Sequence, residues 1–399
     1  MNDDQTFEAT RVVRAGFIPL LDAAVLIAAA AKGFDREEGL ALDLVREVSW
    51  SNIRDRLAFR QFDVAHMLGP MAIASQLGLG SNPYPVIAPF ALGQGGNAVT
   101  LSVPLFAAMR DAAGADFRDE PKAHARALKR VVERRRVAGS PPLVFGVTYP
   151  FSSHNYEFRF WMAEGGIDPD RDVTMTVVPP PFTTDALKAG AIDGFCVNAP
   201  WNVLAVEAGI GRIVAVKADI APSSPEKVLG VRPDWWAENE DTGHRLVRAL
   251  HRAAHWCAEC ANHAELAAIL AKPAHVGGSA ETILAVLSGR LAVDPDGTVR
   301  DIPNYLRFHG EGVNRPASAE ARWVFGQMAR WGQVPLDETS AHRAGLAFRP
   351  DLFDRALGRA DAGIAGEETS FDPRRIATDL EAFAIRHPMG QGRPDEGLE

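Results

Sequence analysis

The chain has 399 residues, enough for two or three globular units, and 47% of them are hydrophobic, enough to fill sizeable cores. A net charge of -9 excludes a nucleic-acid binder that works through a broad basic face. The three cysteines, Cys196, Cys257 and Cys260, exclude a disulfide framework.

The first residues, Met1-Asn2-Asp3-Asp4-Gln5, are acidic where a secretory leader needs a basic region, so the expected location is cytoplasmic. Arg11–Phe17 reads as a first strand. The apolar stretch from Leu20 to Gly33 reads as a helix packed on a sheet, with Gly33 as its stop. It carries Asp22 and is too short to span a bilayer. Leu42–Val45 reads as a strand, Ser51–Arg60 as a helix and Asp63–Leu68 as a strand, with Pro70 opening the next helix. Tyr84–Leu92 and Asn97–Val103 are strand candidates on either side of Gly93-Gln94-Gly95-Gly96.

The alternation repeats in a second block. Leu143–Val147, Val173–Val178, Ile192–Val197 and Ile213–Val216 read as strands, separated by helices at 154–164, 183–189 and 200–208. Beyond residue 232 the pattern is mostly helical, with main segments at 235–271, 279–291 and 317–331. Two α/β blocks with largely parallel sheets and a helical return imply two lobes around a cleft.

In such sheets, ligands sit beyond strand ends and near helix N-termini, so the strand-to-helix loops are the place to look. Trp50 precedes a helix, Asn97 follows a glycine cluster, His154 follows Tyr149-Pro150-Phe151-Ser152-Ser153, and Lys227 follows a Pro/Ser-rich loop. Each carries a hydrogen-bond donor, and Lys227 adds a positive charge. Taken singly, each has an ordinary role in packing, turns or surface. Together they suit a small, flat, monovalent oxyanion, which offers acceptors and no donor. A lysine about 4 Å from such an ion contributes about 4 kcal/mol before desolvation, short of the about 8 kcal/mol that micromolar binding needs, so several pre-placed donors are required.

Four elements carry a family resemblance. Ala65-His66-Met67-Leu68-Gly69-Pro70-Met71, Trp161 to Pro169 (WMAEGGIDP), Phe195 to Asn202 (FCVNAPWN) and Pro225 to Gly230 (PEKVLG) resemble segments of the nitrate- and bicarbonate-binding proteins of cyanobacterial-type ABC transporters, in similar order and spacing. The resemblance implies a type II periplasmic-binding-protein fold. It places lobe I at 8–101 plus 222–345, lobe II at 102–221, and a C-terminal extension with a mobile tail at 346–399. It maps an anion site onto Trp50, Asn97, His154, Asn198 and Lys227, with Pro180 on a second-lobe loop lining the cleft. Asn97 stands where the nitrate binders usually carry Gln, and Asn198-Ala199 replaces Gly-Glu. Bicarbonate-binding relatives use a carboxylate and calcium; Lys227 at the cation position implies a metal-free site for nitrate or nitrite, with no cofactor and no enzymatic activity. Glu226 is next in the chain, but an adjacent residue need not point inward.

With the acidic N-terminus, the chain looks like a nitrate/nitrite sensor of the NasS type, which sequesters a NasT-like RNA-binding antiterminator and releases it on anion binding. The alternative is the receptor of a nitrate, bicarbonate or sulfonate ABC transporter. A third reading, an enzyme sharing the two-lobed fold, needs reactive groups in the cleft; Cys196, near a strand end, is its one candidate thiol. His251, His255, Cys257, Cys260 and His263 diverge around a continuous helix, which argues against zinc. The basic run from Lys122 to Arg136 reads as a solvated helix face, with docking of an acidic partner as its alternative.

Overall fold

The computed structural model describes residues 10–221, 224 and 226–359. The first eleven of the fourteen strands among the described residues are β1 (Arg11–Phe17), β2 (Leu40–Arg46), β3 (Val64–Leu68), β4 (Ile87–Ala91), β5 (Gln94–Gly95), β6 (Asn97–Ser102), β7 (Val144–Val147), β8 (Thr174–Val177), β9 (Gly194–Asn198), β10 (Gly211–Val216) and β11 (Lys227–Val231). Ten of them build two five-stranded sheets, ordered β2-β1-β3-β11-β4 and β10-β6-β9-β7-β8. β5 pairs with Leu306–Arg307 instead.

Each sheet is mixed, where the sequence leads one to expect largely parallel pairing. β1 runs parallel to β2 and β3, and β7 runs parallel to β8 and β9. β11 is antiparallel to β3 and β4, and β6 is antiparallel to β9 and β10. Parallel neighbours need a covering crossover; β6 and β11 enter their sheets directly from the other lobe and have none. The first crossing therefore falls at the glycines before Asn97 and not at residue 101, so β6 belongs to the second sheet. Residues 346–359 are likewise no loose extension. Phe348 bridges Ala88, and the helix Pro350–Ala356 packs on β4 and on the helix Glu240–Ala258. The tail from Met389, expected to be mobile, lies outside the described residues, as do residues 360–388.

Local chemistry sets where the elements begin and end. Gly33 adopts φ 82° and stops the helix Ala24–Lys32, as expected. Ser49 and Ser152 cap the helices Trp50–Ala58 and Ser153–Glu164 by accepting from Asn52 and Asn155 amides. Those caps hold Trp50 and His154 in the first turn of their helices, at the lobe seam. The helical stretch 235–271 divides into Pro233–Glu238, Glu240–Ala258 and His263–Leu270. Leu246, Val247, Leu250, Ala253, Ala254 and Cys257 form the buried stripe of the middle piece. Cys260 lies beyond its end and is exposed, so Cys257 and Cys260 do not share a helix. His251 and His255 both face His309, with ring centroids 5.0 and 5.2 Å away. Among the described residues, no helix is long and apolar enough to cross a membrane, and no group of three His, Cys, Asp or Glu is arranged to hold a metal ion.

Gly165 marks a contact that no side chain could enter. A Cβ there would lie 2.5 Å from the Ala125 backbone carbonyl, in the helix Pro121–Val137. Gly165→Ala is expected to cost about 1–3 kcal/mol through overpacking, read as a lower urea midpoint with unchanged slope.

Candidate functional site

The lobe junction holds a buried cluster of charge. Lys227 opens β11 opposite Leu68, and Leu229 pairs with His66, so both residues of interest face the seam where the second lobe arrives. Its Nζ lies 2.7 Å from Asp22 Oδ2 and 2.6 Å from Glu226 Oε2. The same nitrogen donates to His154 Nε2 at 3.3 Å. Of the three donors an ammonium carries, two are in hydrogen bonds, to Glu226 and His154, while the Asp22 contact is an ion pair. His154 Nδ1 meets Thr148 Oγ1 at 2.8 Å; with Nε2 accepting from Lys227, the proton of the neutral ring belongs on Nδ1.

A second ammonium lies alongside. Lys217, first residue of the helix Lys217–Ile220, contacts Glu157 Oε1 at 2.6 Å and Glu226 Oε1 at 3.0 Å, and also bonds Ser224. Glu157 follows His154 by three residues on one helix, which puts both on the same face. Ser153 donates to Glu226 Oε2 at 3.0 Å. Asn97 and Asn198 stand directly opposite each other across β6 and β9. Asn97 Nδ2 donates to Glu157 at 2.9 Å and to Glu226, and its Oδ1 accepts from Asn198 Nδ2 at 3.0 Å. Asn198 Nδ2 also donates to the Gly95 carbonyl at 3.0 Å.

Toward the first lobe, Asp22 Oδ1 lies 3.0 Å from His66 Nε2. The His66 ring packs against Trp50, centroids 5.3 Å apart. Trp50 is buried, yet its indole N–H has no hydrogen-bond partner among the described residues; the Asn198 Oδ1 acceptor is in the same condition.

Three carboxylates therefore share the cluster with two ammoniums. Burial drives His154 down to about 3, helped by the Lys227 charge, so its ring is neutral at physiological pH. Burial likewise lowers His66. Glu157 goes the other way: burial raises it to about 7, with Glu226 adding repulsion against the pull of Lys217. Glu226 is held well below the usual carboxylate range by Lys217 and Lys227, which outweigh its own burial. The two carboxylates beside Lys227 outweigh its burial and raise its pKa.

Of the six residues expected from sequence, Trp50, Asn97, His154, Asn198 and Lys227 converge in or against this cluster. Pro180 does not join it among the described residues; it is buried at the start of the turn Pro180–Phe182, where its carbonyl accepts from Thr183. Both amides already have partners within the chain. Both donors of Asn198 and the amide of Asn97 serve internal partners, because Gly96, at φ 86°, folds the backbone back against Asn198. Glu226, whose direction the sequence left open, points inward. Asp22, Glu157 and Lys217 were not among the expected residues. Asp22 alone carries a signal in the sequence, as a single charge in the apolar run from Leu20 to Ala31. Cys196 is buried in β9, and burial pushes its thiol far above the ordinary range, which removes the support for a cleft nucleophile.

Two mixed α/β sheets that exchange strands across a junction match the periplasmic-binding-protein fold. The crystal structure of the periplasmic nitrate-binding protein NrtA from Synechocystis superimposes with a TM-score of 0.80 at 24% identity, covering 97% of this chain and 93% of that one. The chain belongs to the NMT1-like family, whose profile matches residues 8–271. It is 35% identical over 347 residues to the nitrate import ATP-binding protein NrtC of Synechocystis, covering 86% of this chain and 49% of the relative. It is also 35% identical over 325 residues to the bicarbonate transport ATP-binding protein CmpC of Synechococcus elongatus, covering 80% and 45%. The chain thus spans about half the length of the curated relatives it matches.

Two measurements check the cluster. Lys227→Met strands Asp22 in the interior, leaves Glu226 with Lys217 as its ammonium, and is expected to cost about 3–5 kcal/mol in urea unfolding. His154 binds fewer protons folded than unfolded between its depressed value of about 3 and the ordinary 6.5. Its contribution to stability is therefore present above pH 6.5 and lost as pH falls toward 3, at up to about 1.4 kcal/mol per pH unit. His154→Gln should flatten that part of the stability–pH curve.

Proposed function

We propose that this chain is a solute-binding protein that captures a small monovalent oxyanion, nitrate or nitrite, between its lobes. The observation that carries this reading is the buried, unpartnered Trp50 indole N–H beside the Lys227 cluster at the lobe junction. A buried donor without a partner calls for an explanation, and a flat anion that brings acceptors supplies one. Lys227 supplies the charge, and the anion competes with His154 or a carboxylate for one of its three N–H bonds. The similarity to NrtC and to the NrtA structure supports nitrate as the ligand.

The import names of the relatives support a receptor working with an ABC transporter. A second use of the same lobe closure is regulatory: a cytoplasmic sensor of the NasS type that holds a NasT-like antiterminator until the anion binds. Its support is the sequence resemblance. In both roles, ligand shifts the partner equilibrium only through a difference in affinity between the open and closed lobes. Bicarbonate is the competing ligand, and one observation favours it. Glu157 and Glu226 are acceptors, and bicarbonate carries an O–H that nitrate lacks.

Calorimetric titration with nitrate, nitrite and bicarbonate separates these ligands. Heat with nitrate or nitrite is expected, and binding of bicarbonate alone would reverse the assignment. Trp50→Phe keeps the packing and removes the donor; it is expected to weaken nitrate binding about tenfold. Unaltered affinity in that variant would remove the observation on which the reading rests.

A further inference from the structure

The three carboxylates of the junction differ in what they hold together. Asp22, in the first lobe, contacts Lys227 and His66, and both of these lie in the first sheet. Glu157 contacts Lys217 and Asn97, which belong with it to the second lobe, and Ser224 on the returning chain. Glu226 alone of the three bridges the lobes. Its backbone carbonyl accepts from the Gly69 N–H at 2.8 Å, which ties it to the first lobe directly before β11. Its carboxylate meets Asn97, Ser153 and Lys217 of the second lobe as well as Lys227 of the first.

Those four donors are shared evenly. Oε1 accepts from Asn97 Nδ2 and, at 3.0 Å, from Lys217 Nζ. Oε2 accepts from Ser153 Oγ at 3.0 Å and from Lys227 Nζ at 2.6 Å. Two donors on each oxygen fill the about four acceptor positions of a carboxylate. Glu226 is also the one carboxylate among the described residues that contacts both ammoniums of the cluster. The group enclosed here is flat, monovalent, buried and made of acceptors, which is the chemistry of the solute proposed above. Leaving such an enclosure unfilled is costly, because two buried ammoniums need counter-charge. Adding an anion beside Glu226 is costly as well, because three carboxylates already face two ammoniums. Exchange of one planar anion for another avoids both penalties.

We propose that Glu226 is an internal stand-in for the captured anion: its carboxylate fills a seat formed by Asn97, Ser153, Lys217 and Lys227, and a solute enters by replacing it. This inference rests on the anion-binding reading above and adds Ser153 and Lys217 to the binding residues. Glu226 then sets the affinity, because the seat is open to solute only for the fraction of time that its own carboxylate is out.

The test is calorimetric titration of nitrate, nitrite and formate, the last as the smallest planar carboxylate, into wild type, Glu226→Ala, Glu226→Gln and Glu157→Gln. Circular dichroism checks that each variant is folded. Both Glu226 variants are expected to bind these anions about tenfold more tightly than wild type, the factor for a seat that is self-occupied about nine-tenths of the time. Formate is expected to compete with nitrate for the same site. Glu157→Gln removes the same charge as Glu226→Gln and leaves the occupant in place, so its gain is expected to be smaller. Nitrate affinity unchanged or weakened in the Glu226 variants, or an equal gain in Glu157→Gln, overturns the exchange and leaves the anion reading standing. Should neither Glu226 variant fold, a wild-type crystal saturated with nitrate decides. Glu226 displaced from Lys227 by the anion supports the exchange, and Glu226 still bonded to Lys227 overturns it. Absence of nitrate and nitrite binding in wild type and variants alike overturns the anion reading and this inference together.

Discussion

Lys227 is the residue around which the junction is organised. Its ammonium is buried and bonded to Asp22 from the first lobe, to its neighbour Glu226 and to His154 from the second lobe. A buried ammonium is tolerated only when paired and hydrogen-bonded, so the position of each partner is constrained by the need to satisfy it. That constraint ties the start of β11 to the turn before the helix Ala24–Lys32 and to the helix Ser153–Glu164. The three segments are far apart in sequence and arrive from two lobes. The exchange of β6 and β11 between sheets makes the meeting possible, because each carries its first residue straight across the seam.

The element order was readable in the chain. Hydrophobic alternation, Gly33 as a stop and serines ahead of two helices located most strands and helices within a few residues, and the two-lobed fold followed. Strand direction was not readable: Lys227–Val231 and Asn97–Ser102 look like any other buried strand, and only the missing crossover makes them antiparallel. The helical region after residue 232 also hides its breaks, since nothing in the apolar pattern marks Asn239 or Glu259 as the ends of the long helix.

The site was legible in part. Trp50, His154 and Lys227 were visible because a donor in a strand-to-helix loop is uncommon among apolar neighbours. Their acidic counterparts were less so. A carboxylate such as Glu157, on a helix with polar neighbours, reads as surface until the partner strand is placed over it. Asn97 and Asn198 were recognised as site residues, without the internal partners that they hold. Their donors hold the carboxylates and the backbone in place, and the Trp50 N–H and the Asn198 side-chain oxygen are among the junction's polar atoms without a hydrogen-bond partner among the described residues.

The central claim is that a flat monovalent anion binds at this junction by taking donors from Trp50 and Lys227. A crystal structure of the chain saturated with nitrate tests it most directly. The account predicts planar density within hydrogen-bonding distance of the Trp50 indole nitrogen and of Lys227 Nζ, with at least one Lys227 partner displaced. Nitrate located elsewhere, with Lys227 still engaged by Asp22, Glu226 and His154, would contradict it.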